Sequence, residues 1–197
     1  MLDANKLQIA SFLDGMYFFI PILTLYMLDN GVGISTIVIA QVFYSIVSFS
    51  MEMPTGLLAD KYGQKLSIVL GYLSASIGVV LLYFYPDAFG LYVCYSFMGL
   101  AGAFLSGSQE ALLFEYMKET EKSSYQKAYA AMVSSGVLGV IVSSAIAGLM
   151  VQQYGASSYP WLIAMTAGAV FLAGLVSTTL SSVRAQISKD EEGSGVF

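Results

Sequence analysis

The sequence predicts an all-α membrane protein with six transmembrane helices and both termini in the cytoplasm. Three observations lead there. The 197-residue chain is 57% hydrophobic and 11% charged, with mean hydropathy +0.72, whereas soluble domains carry roughly 25% charged residues. The apolar residues form six runs, at about 7–28, 34–57, 66–85, 88–114, 126–152 and 159–183. Each is close to or above the ~20 residues a helix needs to cross ~30 Å of hydrocarbon. Finally, the eight basic residues are one-sided: Lys6, Lys61, Lys65, Lys118, Lys122, Lys127, Arg184 and Lys189 fall before the first run, in alternate links, and after the last run. The links near 29–34, 86–88 and 153–158 contain none. Excess Lys/Arg marks cytoplasmic loops, and an even number of spans returns the chain to its starting side, so count and charge agree. Residues 1–185 are expected to form one six-helix domain, and 186–197 a polar cytoplasmic tail.

Several other classes are excluded by the same residues. Barrel strands would alternate over roughly 10 residues between turns, but these runs are continuous. The first run is too long for a signal-peptide apolar region, has no small-x-small cleavage site after it, and carries Asp14. Cys94 is the single cysteine and there is no histidine, so an intramolecular disulfide, a histidine base and a conventional zinc site are all ruled out. No metal, cofactor or enzymatic activity is expected. The net charge of −5 comes largely from loop and tail carboxylates and implies no nucleic-acid partner; the lipid bilayer is the partner the composition demands.

Taken in order, the first run carries the most informative residue. Asp14 lies about eight residues into it, or ~12 Å at 1.5 Å per residue, and no basic residue in any run can neutralise it. An intramembrane carboxylate is expensive, usually faces the bundle interior, and often marks a proton or substrate path. Gln8, Ser11 and Asp14 share a helical face that Tyr17 or Phe18 continues, and Pro21 is expected to bend the helix. In the second run Gln41, Tyr44, Ser45 and Ser48 form a polar stripe, for which cavity lining and interhelical hydrogen bonding both fit. In the third, Gly71, Ala75 and Gly78 are spaced for close helix contact, as are Gly136, Gly139 or Val140, Ser143 and Ala147 in the fifth. The fourth run ends in GSQEALLFE, placing Gln109 and Glu110 inside it and Glu115 at its end. Glu110 can couple to protons, snorkel, or pair with a loop lysine. Tyr26, Tyr83, Tyr85, Tyr92, Tyr154, Tyr159 and Trp161 gather at the expected outer level, as an interfacial belt would.

The link between the second and third runs is the most specific motif. Residues 52–65 read EMPTGLLADKYGQK. From Gly56 to Ile68 the sequence GLLADKYGQKLSI closely resembles the loop 2–3 signature of the major facilitator superfamily: Gly, x, Leu, Ala/Ser, Asp, Arg/Lys, x, Gly, Arg/Lys/Gln, Arg/Lys, x, x, Leu/Ile. The preceding Glu52-Met53-Pro54-Thr55 and the segment from Ser106 to Leu112 are similar to a bacterial, drug-efflux-like branch. Physically, Gly56 would permit close packing and Gly63 a tight turn with positive φ. Asp60 could cap the next helix or meet the helix ends of an opposing domain, and Lys61 and Lys65 could pair with cytoplasmic carboxylates. Three departures accompany the resemblance: Gln64 takes the first basic position after Gly63, the fourth run lacks an intramembrane arginine, and the fifth lacks a Gly-Pro pair.

The resemblance implies a secondary active transporter working by alternating access, and a latch formed by Gly56, Asp60, Lys61, Gly63 and Lys65 with Glu115 as its acidic partner. It covers the first half of the family's architecture, two three-helix repeats out of four. A second six-helix half, either another copy or a separate C-terminal half, is therefore an expected partner. The central cavity would take Asp14, Tyr17, Gln41, Tyr44, Gln109 and Glu110. An acidic half without intramembrane base suits a small cationic or neutral lipophilic solute, with protons as the coupling ion and efflux by antiport as the form of transport. A bacterial cytoplasmic membrane is the expected location. The alternative is a six-helix fragment or assembly partner that transports nothing. A third class, intramembrane hydrolysis, would need Asp14 and Glu110 to face each other.

Overall fold

The computed structural model describes residues 2–118 and 122–181, and all regular structure within them is helical. In order these are α1 (Leu2–Asp14), a 3-10 turn (Ile20–Ile22), α2 (Leu23–Asp29), α3 (Ile34–Tyr62), α4 (Gln64–Phe84), α5 (Ala88–Leu105), α6 (Ser108–Met117), α7 (Lys122–Tyr154), a 3-10 turn (Gly155–Ser158) and α8 (Tyr159–Thr178). Four stretches are long and apolar enough to cross a membrane: Ile34–Tyr62, Gln64–Phe84, Ala88–Met117 and Ser124–Thr178, the last containing α7 and α8. Arg184, Lys189 and the expected tail at 186–197 lie outside the described residues.

Two of the apolar runs are divided. The first, expected as one helix over 7–28 bent at Pro21, is helical from Leu2 and stops at Asp14; Pro21 lies in the 3-10 turn that follows. The fourth, expected as one helix over 88–114, breaks at Ser106–Gly107, where Gly107 adopts φ 73° and precedes α6. The link expected between the second and third runs shrinks to one residue. The α3 helix runs on through Tyr62, and Gly63, at φ 96°, ends it and begins α4. A glycine is required there because an L side chain resists that conformation. Two expectations for this motif change. Asp60 does not cap α4, because the cap position is Gly63, which has no side chain, and Asp60 sits in the last turn of α3. Gly56 makes no close helix contact among the described residues, since a Cβ built there meets nothing of theirs within 4 Å.

The helices pack in a pattern that maps onto itself. In the first repeat, residues 2–84, the elements are α1 to α2, then α3, then α4; in the second, residues 88–178, they are α5 to α6, then α7, then α8. The principal pairs are α3 on α5, α1 on α7, α4 on α5, α1 on α8, and α4 on α8. Exchanging the first, second and third members of the repeats converts each of these pairs into another, with α4 on α8 converted into itself. The first helix of each repeat thus packs on the second helix of the other.

Glycine makes those two crossings possible. A Cβ on Gly15 would collide with the backbone of Gly136, and one on Gly139 with the Phe12 carbonyl, so the start of the α1 interruption lies directly on α7. At the other crossing a Cβ on Gly99 would meet the Tyr44 carbonyl and the Ser48 backbone nitrogen. The small residues of α7 make close helix contact, as their spacing predicts: Gly136 and Gly139 meet α1, and Ser143 and Ala147 are buried. Gly71 and Gly78 on α4 likewise meet α5, at Leu105 and Phe97, as their spacing predicts.

Interhelical hydrogen bonds fix the ends. Ser67 Oγ donates to the Phe104 carbonyl at 2.7 Å. Thr55, next to the α3 proline Pro54, has its hydroxyl 2.8 Å from Met51 O and 3.0 Å from Ala103 O. Where the lysines gather, Lys6 Nζ lies 2.9 Å from both Asp3 Oδ1 and the Thr179 carbonyl, and Tyr116 donates to the Ser181 carbonyl at 2.7 Å. These contacts bring the start of α1 and the ends of α6 and α8 together. Of the expected aromatic belt, Tyr83, Tyr85, Tyr154 and Trp161 are exposed, but Tyr26 and Tyr159 are buried and pack edge to face with centroids 6.1 Å apart. The buried apolar residues form two clusters, one containing Phe19, Met27 and Leu162, the other Leu7, Tyr72 and Leu113; Tyr17 packs against both.

Candidate functional site

The interruption after α1 lies where those two clusters meet. Past Gly15 the helical bonding pattern fails: Met16 N–H reaches Leu13 O, Tyr17 N–H reaches Gly15 O, and Phe18 N–H reaches Met16 O. A buried backbone amide without a partner is costly, and the next one, Phe19 N–H, finds the hydroxyl of Thr166 on α8 at 3.3 Å. Thr166 in turn donates to the Leu162 carbonyl at 3.0 Å and is itself fully buried. Irregular backbone at membrane depth is tolerated only where protein encloses it or it lines a cavity, and here α7 and α8 enclose it.

Asp14 is the last residue of α1. Its carboxylate therefore sits at the negative end of a helix dipole, where a second negative charge is disfavoured. Tyr17, one turn on, swings back from the irregular segment and donates its hydroxyl to Asp14 Oδ1 at 3.3 Å. Tyr72 on α4 stands in the neighbourhood of Asp14, and Tyr44 on α3 in that of Tyr17. Tyr72 is fully buried and accepts a hydrogen bond from Gln109 Nε2 at 2.8 Å. Gln109 lies in the first turn of α6, just past the second interruption. The arrangement is a carboxylate bonded to a phenolic hydroxyl, with no cation paired to it among the described residues. Chemically it can hold a proton, a small cation or a cationic group of a solute. Ser11, one turn before Asp14, has a buried hydroxyl with no hydrogen-bond partner among the described residues.

Of the residues singled out from the sequence, Asp14 and Tyr17 share a hydrogen bond, Gln109 bonds to Tyr72, and Tyr44 lies near Tyr17. Gln41 is exposed on α3 and lies beside Tyr95 instead. Glu110 is exposed and accepts from Tyr129 on α7 at 3.0 Å, so its partner is a tyrosine rather than a loop lysine. In the α3–α4 motif Gly56 and Asp60 are exposed on α3, Lys61 lies over the Tyr62 ring at 5.1 Å, and Lys65 is half-buried at the start of α4; Glu115 is exposed on α6. Sequence reasoning missed Tyr72 and Thr166. Both sit within apolar runs at positions that read as ordinary packing. The available signals were weak: a glycine directly after Asp14, and a threonine in the middle of the sixth run.

Comparison with known proteins follows the same lines. The family model described as Major Facilitator Superfamily matches residues 7–195. An uncharacterized transporter of Buchnera aphidicola subsp. Acyrthosiphon pisum is 28% identical over 151 residues, 76% of this chain and 37% of the relative. A second, from Buchnera aphidicola subsp. Schizaphis graminum, is 26% identical over 152 residues, 77% of this chain and 38% of the relative. An uncharacterized MFS-type transporter of Methanocaldococcus jannaschii is 22% identical over 143 residues, 72% of this chain and 36% of the relative. The aligned part of this chain spans little more than a third of the length of these relatives.

Proposed function

The chain belongs to the major facilitator superfamily, and from that premise we propose that it is one six-helix half of a secondary active transporter whose cation-coupling group is Asp14. The six spans are α1 to α2, α3, α4, α5 to α6, α7 and α8, with the lysine-bearing end, and hence both termini, in the cytoplasm. The observation that carries the coupling role is the position of Asp14: the end of an interrupted helix, enclosed by other helices, bonded to the Tyr17 hydroxyl and paired with no basic side chain among the described residues. Such a carboxylate is stable when it holds a proton or a cation, and costly when it holds neither. An exchange between those two states is what coupling requires. The substrate class that suits this half is a small cationic or neutral lipophilic solute, carried outward against protons. A bacterial cytoplasmic membrane suits the Buchnera relatives.

The partner is a second six-helix half, either another copy or a separate chain. The α3 and α7 helices support this reading. Each packs mainly on one helix of the opposite repeat and leaves a long row of large side chains, Val38, Phe49 and Met53 on α3 and Val137, Ile141 and Leu149 on α7, exposed. The motif over Gly56, Asp60, Lys61, Gly63 and Lys65, with Glu115, would latch the halves at their cytoplasmic ends.

The test is efflux of a lipophilic cation such as tetraphenylphosphonium from proteoliposomes under an imposed proton gradient, with mass measured in detergent to define the assembly. Gradient-driven flux is expected to fall at least tenfold in Asp14→Asn. Full gradient-driven flux in that variant would remove the coupling role.

A further inference from the structure

The second interruption brings two aromatic helix faces together. Gly107, at φ 73°, starts α6 afresh, and α6 then lies against α7. Glu110 and Phe114 are one turn apart on α6, and Tyr125 and Tyr129 one turn apart on α7, so each pair shares a helical face. The faces meet at both levels. Tyr129 donates its hydroxyl to Glu110 Oε1 at 3.0 Å. Phe114 packs edge to face on Tyr125, with centroids 5.8 Å apart and planes at 81°, and Tyr125 stacks along Tyr129 at 6.2 Å and 16°.

Core packing accounts for only one side of this cluster. Tyr125 and Tyr129 rest against the buried residues around Leu113, yet both stay partly exposed, Phe114 is 57% exposed, and Glu110 is exposed. Among the described residues no basic side chain pairs with Glu110. Glu115, Lys118 and Lys127 on the same two helices are exposed. The Tyr129 bond occupies one carboxylate oxygen and leaves the group its charge. A phenol that donates to a carboxylate also gains electron density in its ring, and ring faces attract cations within about 6 Å of their centroid. A carboxylate beside partly open rings is the chemistry that recognises an organic cation, whereas a neutral or anionic ligand gains nothing from the carboxylate.

We propose that Glu110, Phe114, Tyr125 and Tyr129 form a binding site for a lipophilic organic cation, distinct from Asp14. Asp14 adjoins Gly15, which meets α7 at Gly136. Tyr129 precedes Gly136 on α7 by seven residues, or about 10 Å at 1.5 Å per residue. The site therefore lies about two turns nearer the lysine-bearing end than Asp14 does, where a cation arriving from that side meets it first.

The cation class rests on the proposed function, but occupancy is read by binding and labelling rather than by flux. The whole chain in dodecylmaltoside is titrated with tritiated tetraphenylphosphonium, and an azidophenyl-triphenylphosphonium analogue is photo-cross-linked and mapped by mass spectrometry. Labelling is expected within residues 108–129. Glu110→Gln is expected to weaken cation binding about two- to fivefold, as for an exposed ion pair, and to leave binding of neutral triphenylphosphine oxide unchanged. Tyr125→Leu is expected to cost about two- to fivefold, the yield of one exposed cation–π contact, and Tyr125→Phe, which keeps the ring, to retain binding. Labelling elsewhere, unchanged cation affinity in Glu110→Gln, or an equal loss for the cation and its neutral analogue overturns the proposal. Added phosphatidylethanolamine offers the same ammonium chemistry as a headgroup; no displacement is expected, and displacement would give the site to a lipid and overturn the solute reading. Asp14→Asn is expected to keep the labelling, and its loss there would overturn the separation of the two sites. Labelling within 108–129 without gradient-driven flux would fault the transport reading alone, and Asp14-dependent flux without that labelling would fault this site alone.

Discussion

The stretch from Gly15 to Phe19 and the pair Ser106–Gly107 interrupt the first helix of each repeat, and they are made from different materials. At 106–107 the break is local. Ser106 N–H still bonds Gly102 O, Gly107 takes a left-handed turn at φ 73°, and Ala111 N–H bonds back to Gly107 O. A single glycine suffices, and both residues of the break are exposed. At 15–19 the break is buried and its pieces come from distant sequence: Gly136 and Gly139 admit the backbone, and Thr166 takes the Phe19 amide. The second break would form in an isolated helix, whereas the first exists only in the assembled fold. Asp14, the candidate coupling acid, belongs to the first. A site that must hold its geometry against helix formation is better placed where tertiary contacts over-determine it.

The largest test of that difference is at the α1–α7 crossing. Gly139→Ala would drive a methyl group into the Phe12 carbonyl. Backbone cannot move aside as a flexible side chain can, so α1 and α7 must separate, at about 1–3 kcal/mol or more. Gly148→Ala, on the same helix with open space at its Cβ, should leave stability unchanged or slightly raised. Thermal unfolding in detergent distinguishes them, and equal behaviour of the two variants would mean that the crossing does not hold the break in place.

A smaller effect is expected from Thr166→Val, which keeps the shape and removes the acceptor for Phe19 N–H. An unsatisfied buried amide costs about 1–3 kcal/mol. Thr166→Ser, which retains the hydroxyl, should recover most of the lost unfolding temperature. Failure of serine to recover it would assign the threonine to packing and leave the Phe19 amide satisfied by other means.

These tests also mark which parts of the molecule the sequence could announce. The apolar runs are visible because a bilayer imposes length on each helix separately, and Gly63 is visible because a positive-φ turn has a local signature. The break at Gly107 carries the same kind of signature, although its run reads as continuous. The break at 15–19 carries none, because its cause lies in Gly136, Gly139 and Thr166, more than a hundred residues away. The α3–α4 motif errs in the opposite direction: its charge suggests a loop, yet its residues up to Tyr62 are helical. Polarity at a membrane surface does not require irregular backbone, only contact with water. At the candidate site Asp14 stands out because burying an acid is costly, whereas Tyr72 looks like any core aromatic until its hydroxyl is seen to accept from Gln109.

The smallest expected effect concerns how the repeats close on each other. The exchange that converts one repeat into the other carries the end of α4 and the start of α5 onto the end of α8 and the start of α1. The first pair is joined covalently through Pro86 and Asp87, whose carboxylate accepts from Gly90 N–H at 2.8 Å to cap α5. The second pair has no peptide bond, and Lys6 stands in its place, reaching the Thr179 carbonyl at the end of α8 while pairing with Asp3. Burial alone would raise the Asp3 carboxyl, but hydrogen bonds from Lys6 and Ser181 and the Lys6 charge outweigh it and hold it below the usual carboxylate range. A depressed native value contributes stability that is present above the unfolded value and lost as pH falls through the native one. The pair is partly exposed, so the contribution is about 0–1 kcal/mol and screened by salt. Lys6→Met should therefore lower the unfolding temperature slightly at neutral pH and low salt. It should also flatten the further loss seen on acidification toward the carboxylate range, because Asp3 no longer has its cation. An acid-side loss as steep in Lys6→Met as in the parent chain would place that loss in other carboxylates, and would show that the Lys6 charge on Asp3 does not hold the α8-to-α1 junction.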